Sequence, residues 1–136
     1  MDAFVVADGP PLKVQYFPKK GRGIVATSFI PEDTLIERCP VLIIPPEHRH
    51  RTDPSIIFTY VFMWEPHTTE QDLYKGTGRA AIALGLTSLL NHSYTPNLRF
   101  IRHFDELELE IRSVRCVDPG EELTIDYQMR LWFDPS

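Results

Sequence analysis

Apolar and polar positions alternate with a period of two over several stretches of this chain, and proline or glycine interrupts the pattern every few residues. That combination predicts short strands joined by turns rather than long helices. The clearest stretch is Leu107-Glu108-Leu109-Glu110-Ile111-Arg112, whose apolar side chains fall on one face and charged ones on the other. Asn97 to Phe104 precedes it across Asp105-Glu106, which predicts a hairpin. Leu12 to Phe17 alternates more weakly and stops at Pro18. Gly23 to Ser28 and Thr34 to Ile44 are rich in Ile, Val and Thr on either side of the turn-like Ile30-Pro31-Glu32-Asp33, so the two are expected to pair as an antiparallel ladder. Asp118-Pro119-Gly120-Glu121 has proline second and glycine third, a strong turn signal leading into a last core strand, Leu123 to Tyr127.

The middle of the chain follows neither period cleanly. Ser55 to Trp64 is apolar on every side and fits a buried helix or strand, while Pro66 to Gly78 is polar and reads as a loop. Ala80 to Leu90 holds helix formers interrupted by Gly85, and a short helix is expected there. The sum is a mainly β domain with one or two short helices.

Composition narrows the picture. With 136 residues, 43% of them hydrophobic, the chain is sized for one domain. Its longest apolar run is about half of the ~20 residues a membrane helix needs, and no basic segment followed by an apolar run opens it, so an intracellular soluble protein without membrane contact is expected. Cys39 and Cys116 stand 77 positions apart without a Cys-x-x-Cys pair, which suggests reduced thiols and no metal cluster. The net charge of −5 argues against general affinity for nucleic-acid backbone. From Asp105 onward there are nine acids and three arginines, and a basic partner is the natural complement of that end.

Four segments could carry chemistry. Lys19-Lys20-Gly21-Arg22-Gly23 puts two glycines just before a strand, where a tight turn or a close approach of backbone to a ligand would each need them. Residues 88–97, Ser-Leu-Leu-Asn-His-Ser-Tyr-Thr-Pro-Asn, crowd polar groups beside leucines and form either a turn or a functional polar cluster. Gly120 to Tyr127 is a turn entering a strand that ends in Asp-Tyr, and Leu131-Trp132-Phe133 offers aromatics suited to packing on the core or to covering an apolar ligand. His48-Arg49-His50-Arg51 reads as a solvated loop. No Walker loop, His-Glu-x-x-His pair or Ser-His-Asp order is present.

In their order, these segments resemble the SET-domain family of protein-lysine methyltransferases. Gly21-Arg22-Gly23 matches the family's Gly-x-Gly, Asn91-His92-Ser93 with Pro96-Asn97 its Asn-His-Ser-x-x-Pro-Asn, and Gly120-Glu121-Glu122-Leu123 through Tyr127 its Gly-Glu-Glu-Leu-x-x-x-Tyr. The resemblance covers about residues 12–133, and the short length is most similar to the compact stand-alone members of viruses and bacteria. It implies one SET domain over 1–136 without zinc modules before or after it, a β-clip fold of short strands, and a carboxyl-terminal pseudoknot bringing Tyr127 beside Asn91. It also implies S-adenosylmethionine as methyl donor and a lysine of a basic, histone-like protein as acceptor, in the cytoplasm, or in the nucleus of a eukaryotic or virus-infected cell.

Carried over residue by residue, the resemblance gives the backbone of Lys20, Gly21, Arg22 and Gly23 the methionine part of the cofactor, and Asn91 and His92 its adenine and carboxylate. Tyr127 is then the catalytic tyrosine, touching cofactor and substrate. Tyr60, Phe100, Ile125 and Tyr127 line the lysine channel, where the absence of a water-holding hydroxyl at Phe100 and Ile125 leaves room for di- or trimethylation. The family's usual cysteine after Asn-His-Ser is Tyr94 here, so Trp132 and Phe133 are expected to close the cofactor site in place of zinc. So small a member is compatible with a homodimer. The rival reading is a catalytically silent SET-like module that binds a basic peptide or the cofactor.

Overall fold

The computed structural model describes residues 4–5, 11–52, 54–56, 60–64 and 79–126. Their strands form two five-stranded sheets. The first contains β1 (Phe4–Val5), β2 (Leu12–Phe17), β3 (Gly21–Ala26), β7 (Asn91–His92) and β10 (Glu122–Ile125), in the order β1-β2-β3-β10-β7. The second contains β4 (Leu35–Ile44), β5 (Val61–Met63), β6 (Ala80–Ala83), β8 (Leu98–His103) and β9 (Glu108–Ser113), in the order β5-β6-β4-β9-β8. Neighbours run antiparallel except β10 and β7, which are parallel with Thr124 opposite Asn91 and Ile125 opposite His92.

Alternation in the sequence maps onto burial. In β9, Leu109, Ile111 and Ser113 face the core, and Glu108, Glu110 and Arg112 face outward. The expected hairpin is β8–β9, with Leu98 opposite Ser113 and His103 opposite Glu108. Its turn is closed by Leu107, which sits in the left-handed region at φ 55°. The Asp118–Glu121 turn is also present, with Gly120 at φ 87°.

Two expectations fail on pairing. Strands β3 and β4 do not form a ladder with each other: β3 lies between β2 and β10, and β4 lies between β6 and β9. Turn chemistry between two strand-like segments fixes a reversal but not which partner each strand takes, and here each strand takes other partners. Residues 80–90 do not form the expected helix either. Ala80–Ala83 is a strand between β4 and β5, followed by a 3-10 turn over Leu86–Leu89. Ala80, Ala81 and Ala83 are fully buried, so packing overrides alanine's helix preference.

The second sheet curls until its two edges meet. Phe62 of β5 and Phe100 of β8 sit with ring centroids 5.9 Å apart, and just beyond them Trp64 and Phe104 make an edge-to-face contact at 5.2 Å. Trp64 is wholly buried, as is most of a core built from Ile24, Ile30, Leu98, Leu109, Ile111, Val117, Leu123 and Ile125. Ser55 to Trp64 is thus half correct as a buried segment, for Ile56 is 73% exposed. The expected solvated loop at 48–51 is a 3-10 turn over Pro46–His48 leading into a short helix, α1 (Arg49–Thr52), and Arg49 is completely buried. Residues 66–78 lie outside the described residues. Among the described residues, no helix is long and apolar enough to cross a membrane.

Candidate active site

The β2–β3 turn builds the first wall of the site. Lys20 N–H donates to the Phe17 carbonyl at 3.1 Å, and Gly21 follows at φ 79°, a conformation that disfavours any side chain. Gly23 is there for a different reason. A Cβ on it would lie 2.7 Å from both Asn91 Nδ2 and Glu122 Oε2 and 2.8 Å from Phe17 Cε2. The tight turn accounts for Gly21, whereas Gly23 is required by the close approach of protein side chains.

Strand β10, inserted between β3 and β7, carries Glu122 to that contact. Asn91 Nδ2 donates to Glu122 Oε2 at 2.6 Å and to the Arg22 carbonyl at 3.4 Å. Lys20 Nζ lies 3.1 Å from Glu122 Oε1. Lys20, Gly23 and Asn91 therefore meet at the Glu122 carboxylate, and Arg22 joins them through its carbonyl, which accepts from Asn91. Sequence reading missed Glu122 as an individual group, although it stands in the Gly-Glu-Glu-Leu match.

Asn97 holds β10 in place by mimicking a strand partner. It is buried, its Nδ2 donates to the Glu122 carbonyl at 2.9 Å, and its Oδ1 accepts from Thr124 N–H at 2.9 Å. His92 points to the other side of β7. Its buried ring meets Tyr94 edge-on with centroids 4.4 Å apart, and its Nδ1 lies 3.8 Å from Asp126 Oδ1. Burial pushes the imidazole below its ordinary pKa, against the opposing pull of Asp126.

A second carboxylate sets the segment before Asn91. Glu37 of β4 accepts hydrogen bonds from Leu86 N–H, Thr87 N–H and Thr87 Oγ1, the last two at 2.8 and 2.6 Å. The Gly85 backbone presses on the same carboxylate, with its missing Cβ only 2.8 Å from Oε1. Glu37 thereby anchors the start of the 3-10 turn that delivers Asn91 and His92. Beside it, burial and the Glu37 charge push the Cys39 thiol up to about 11, so it is an inert packing group; Cys116 is a free, exposed thiol.

The channel residues are less tightly gathered. Tyr60 and Phe100 are half-buried and Ile125 is wholly buried. Among the described residues Phe100 meets Phe62 and the Arg102 guanidinium, 4.7 Å above its ring. Tyr127, Trp132 and Phe133 lie outside the described residues, as does any threading of the pseudoknot beyond Asp126.

The profile of the SET domain matches residues 21–128, which run from the first site glycine past Asp126. The chain belongs to the SET-domain family of protein-lysine methyltransferases. A relative from Schizosaccharomyces pombe, named histone-lysine N-methyltransferase, H3 lysine-37 specific, is 30% identical over 125 residues, spanning 91% of this SET chain and 78% of the relative. The crystal structure of a Plasmodium falciparum protein named as a histone methyltransferase aligns with a TM-score of 0.66 over 93% of this chain and 100% of that one. At 19% identity that second likeness concerns the fold alone.

In this SET domain part of the acidic carboxyl-terminal end is ion-paired. Glu108 and Glu110 pair with Arg38, Glu110 also contacts His103 and Arg112, and Glu121 pairs with Arg115. Two independent hydrogen-bonded partners hold the Glu110 carboxyl below its usual range. Arg112 and Arg115 belong to the acidic segment itself and Arg38 is the arginine that β4 adds, so the segment keeps a net negative charge.

Proposed function

We propose that this chain transfers methyl groups from S-adenosylmethionine to a lysine side chain on a basic, histone-like tail inside the cell, as a single SET unit with its core over residues 12–133. The observation that carries this reading is the meeting of β3, β7 and β10, which brings Gly23, Asn91 and Glu122 into contact from three distant parts of the chain.

The residues present fit the cofactor's polar end. Gly21 leaves open space where a Cβ would stand, and the surrounding groups are carbonyl, amide, carboxylate and ammonium, suited to an amino-acid headgroup. The backbone of Lys20 to Gly23 and the Asn91-His92 strand would hold it, with Trp132 and Phe133 closing the site. When bound, S-adenosylmethionine supplies an activated methyl group.

The protein's own contribution is alignment and environment. A lysine amine has an ordinary pKa of about 10.4 and must arrive neutral to act as a nucleophile. An apolar channel walled by Tyr60, Phe100 and Ile125 disfavours its ammonium form by desolvation, and the Arg102 cation over Phe100 adds to that bias by like-charge repulsion. Tyr127 would orient the reacting groups with its hydroxyl. The walls at Phe100 and Ile125 carry no hydroxyl, which supports di- or trimethylation.

Incubating the chain with a histone mixture and radiolabelled donor tests the proposal. Label on lysine supports it, and mass spectrometry then reads the number of methyl groups. Donor binding without transfer to any basic protein would instead support the silent-module reading, and a product that stays monomethylated with excess donor would overturn the assignment of multiplicity.

A further inference from the structure

Strand β4 reaches both sheets through one side chain. Residues directly opposite each other in neighbouring strands share a face, and Glu37 stands opposite Ile111 of β9, which stands opposite Phe100 of β8. The row Glu37–Ile111–Phe100 thus crosses the second sheet on one face, with a carboxylate at one end, the wholly buried Ile111 between, and the proposed channel wall at the other end. From the carboxylate the contacts lead out of that sheet. The chain leaves β4 after Leu84, whose N–H donates to the Pro40 carbonyl at 2.9 Å, and Glu37 then accepts from Leu86 N–H at 3.2 Å and from both donors of Thr87. Backbone N–H groups at the start of a helical turn have no partner within it, so the carboxylate supplies what the turn lacks. Leu90 N–H closes the turn on the Thr87 carbonyl, and Asn91 and His92 follow as β7. Strand β7 is held to β10 separately, by its parallel register and by Ser93 N–H donating to the Ile125 carbonyl at 2.9 Å.

We propose that Glu37 is a positioning residue for methyl transfer, acting through the 3-10 turn to fix the spacing between the lysine channel at Phe100 and the cofactor strand β7. This rests on the reading of the chain as an S-adenosylmethionine-dependent lysine methyltransferase and adds a residue to it. Because the β7–β10 ladder does not depend on Glu37, loss of the carboxylate leaves the cofactor's strand formed but no longer fixed to the sheet that carries the acceptor channel. An in-line displacement is sensitive to such a shift, since a misplacement of about 1 Å can cost about a hundredfold in rate. The signature is a fall in kcat with donor affinity retained.

Glu37→Ala removes all three acceptor contacts, whereas Glu37→Gln keeps an oxygen for the two Thr87 bonds and sets an amide –NH2 against Leu86 N–H. Hydrogen exchange on the whole chain without cofactor should show the Leu86 and Thr87 amides of Glu37→Ala exchanging faster while the Ser93 amide keeps its protection. Turnover on a histone mixture is then measured with excess donor and expressed per donor-binding site, the sites being counted by calorimetry. Glu37→Ala is expected to lose about tenfold or more in kcat per site with donor Kd within about twofold of the parent, and Glu37→Gln to recover most of the rate. A merely structural role predicts fewer donor-binding sites, each turning over as in the parent, and that result would overturn the proposal. Equal losses in kcat and donor affinity, or loss of protection at Ser93, would overturn it too. If the alanine variant fails to fold, Thr87→Val removes the hydroxyl bond alone and should show the same split on a smaller scale; an unchanged kcat there would count against Glu37. A parent chain that binds the donor but labels no lysine would refute the methyl-transfer reading itself, a result distinct from an active parent and variants that match it.

Discussion

Gly23→Ala isolates what the site demands of its backbone. The new methyl group would sit 2.7 Å from Asn91 Nδ2, 2.7 Å from Glu122 Oε2 and 2.8 Å from Phe17 Cε2. Each must retreat by most of an ångström to restore ordinary contact. The Asn91–Glu122 bond already spans only 2.6 Å, so its partners cannot separate around a methyl group and stay bonded. Overpacking alone costs about 1–3 kcal/mol, and loss of a charge-assisted hydrogen bond adds about 1.5–3 kcal/mol. Taking roughly 2.5–6 kcal/mol in all, and about 4 °C per kcal/mol for a domain of this size, thermal unfolding followed by circular dichroism should shift down by roughly 10–24 °C. Gly21→Ala is the internal control. It meets open space but must hold a φ of 79°, so only the left-handed backbone strain of about 1–2 kcal/mol applies and the shift should be roughly 4–8 °C. A Gly23→Ala protein that melts within about 2 °C of the parent, or a larger loss at Gly21, would refute this account of the two glycines.

Other expectations follow from the same contacts. Glu37→Ala strips the acceptor from Leu86 N–H, Thr87 N–H and Thr87 Oγ1 and should lower stability by about 2–3 kcal/mol in urea titration. Asn97→Ala leaves the Glu122 carbonyl and the Thr124 N–H without their buried partner and should cost about 2–4 kcal/mol, measured in the same way. For His92 the folded pKa lies below the ordinary 6.5, so the unfolded state takes up its proton first as pH falls. Its contribution is therefore full above about pH 6.5 and declines below it, and a His92→Gln chain should lose less stability between about pH 7.5 and about pH 5.5 than the parent does. Tyr127→Phe should lower turnover by about a hundredfold or more while cofactor affinity stays near that of the parent, as read by steady-state kinetics and calorimetry; equal losses in both would remove Tyr127 from its proposed role.

What the sequence made legible was whatever depends on neighbours along the chain. Strict alternation at Leu107–Arg112 sorts β9 into two faces without help from the rest of the protein, and Asp118–Glu121 forms its turn from local backbone preference. Pairing was illegible where the partner is remote: β3 takes β10, about a hundred residues later, rather than the nearby β4. Ala80–Ala83 misled because small residues favour helices in isolation but also fit where a curled sheet leaves little room. The site divided in the same way. Its glycines and its Asn-His pair stood out as local motifs, whereas Glu37 lies in an ordinary strand and gains its role from a turn fifty residues away. Arg49 carried no signal of burial either, since its charge pointed to solvent and only the fold encloses it.

The position of β10 between β3 and β7 also governs when the site can exist. A ribosome releases β2 and β3 early, with one edge of β3 exposed, and nothing made before residue 122 can fill that edge. Gly23 and Asn91 cannot meet across Glu122 in a nascent chain, so the site is completed only once β10 has been synthesised. Premature termination anywhere upstream of β10 would then yield a product with two unsatisfied strand edges, an aggregation hazard and a target for quality control, rather than a partly active fragment.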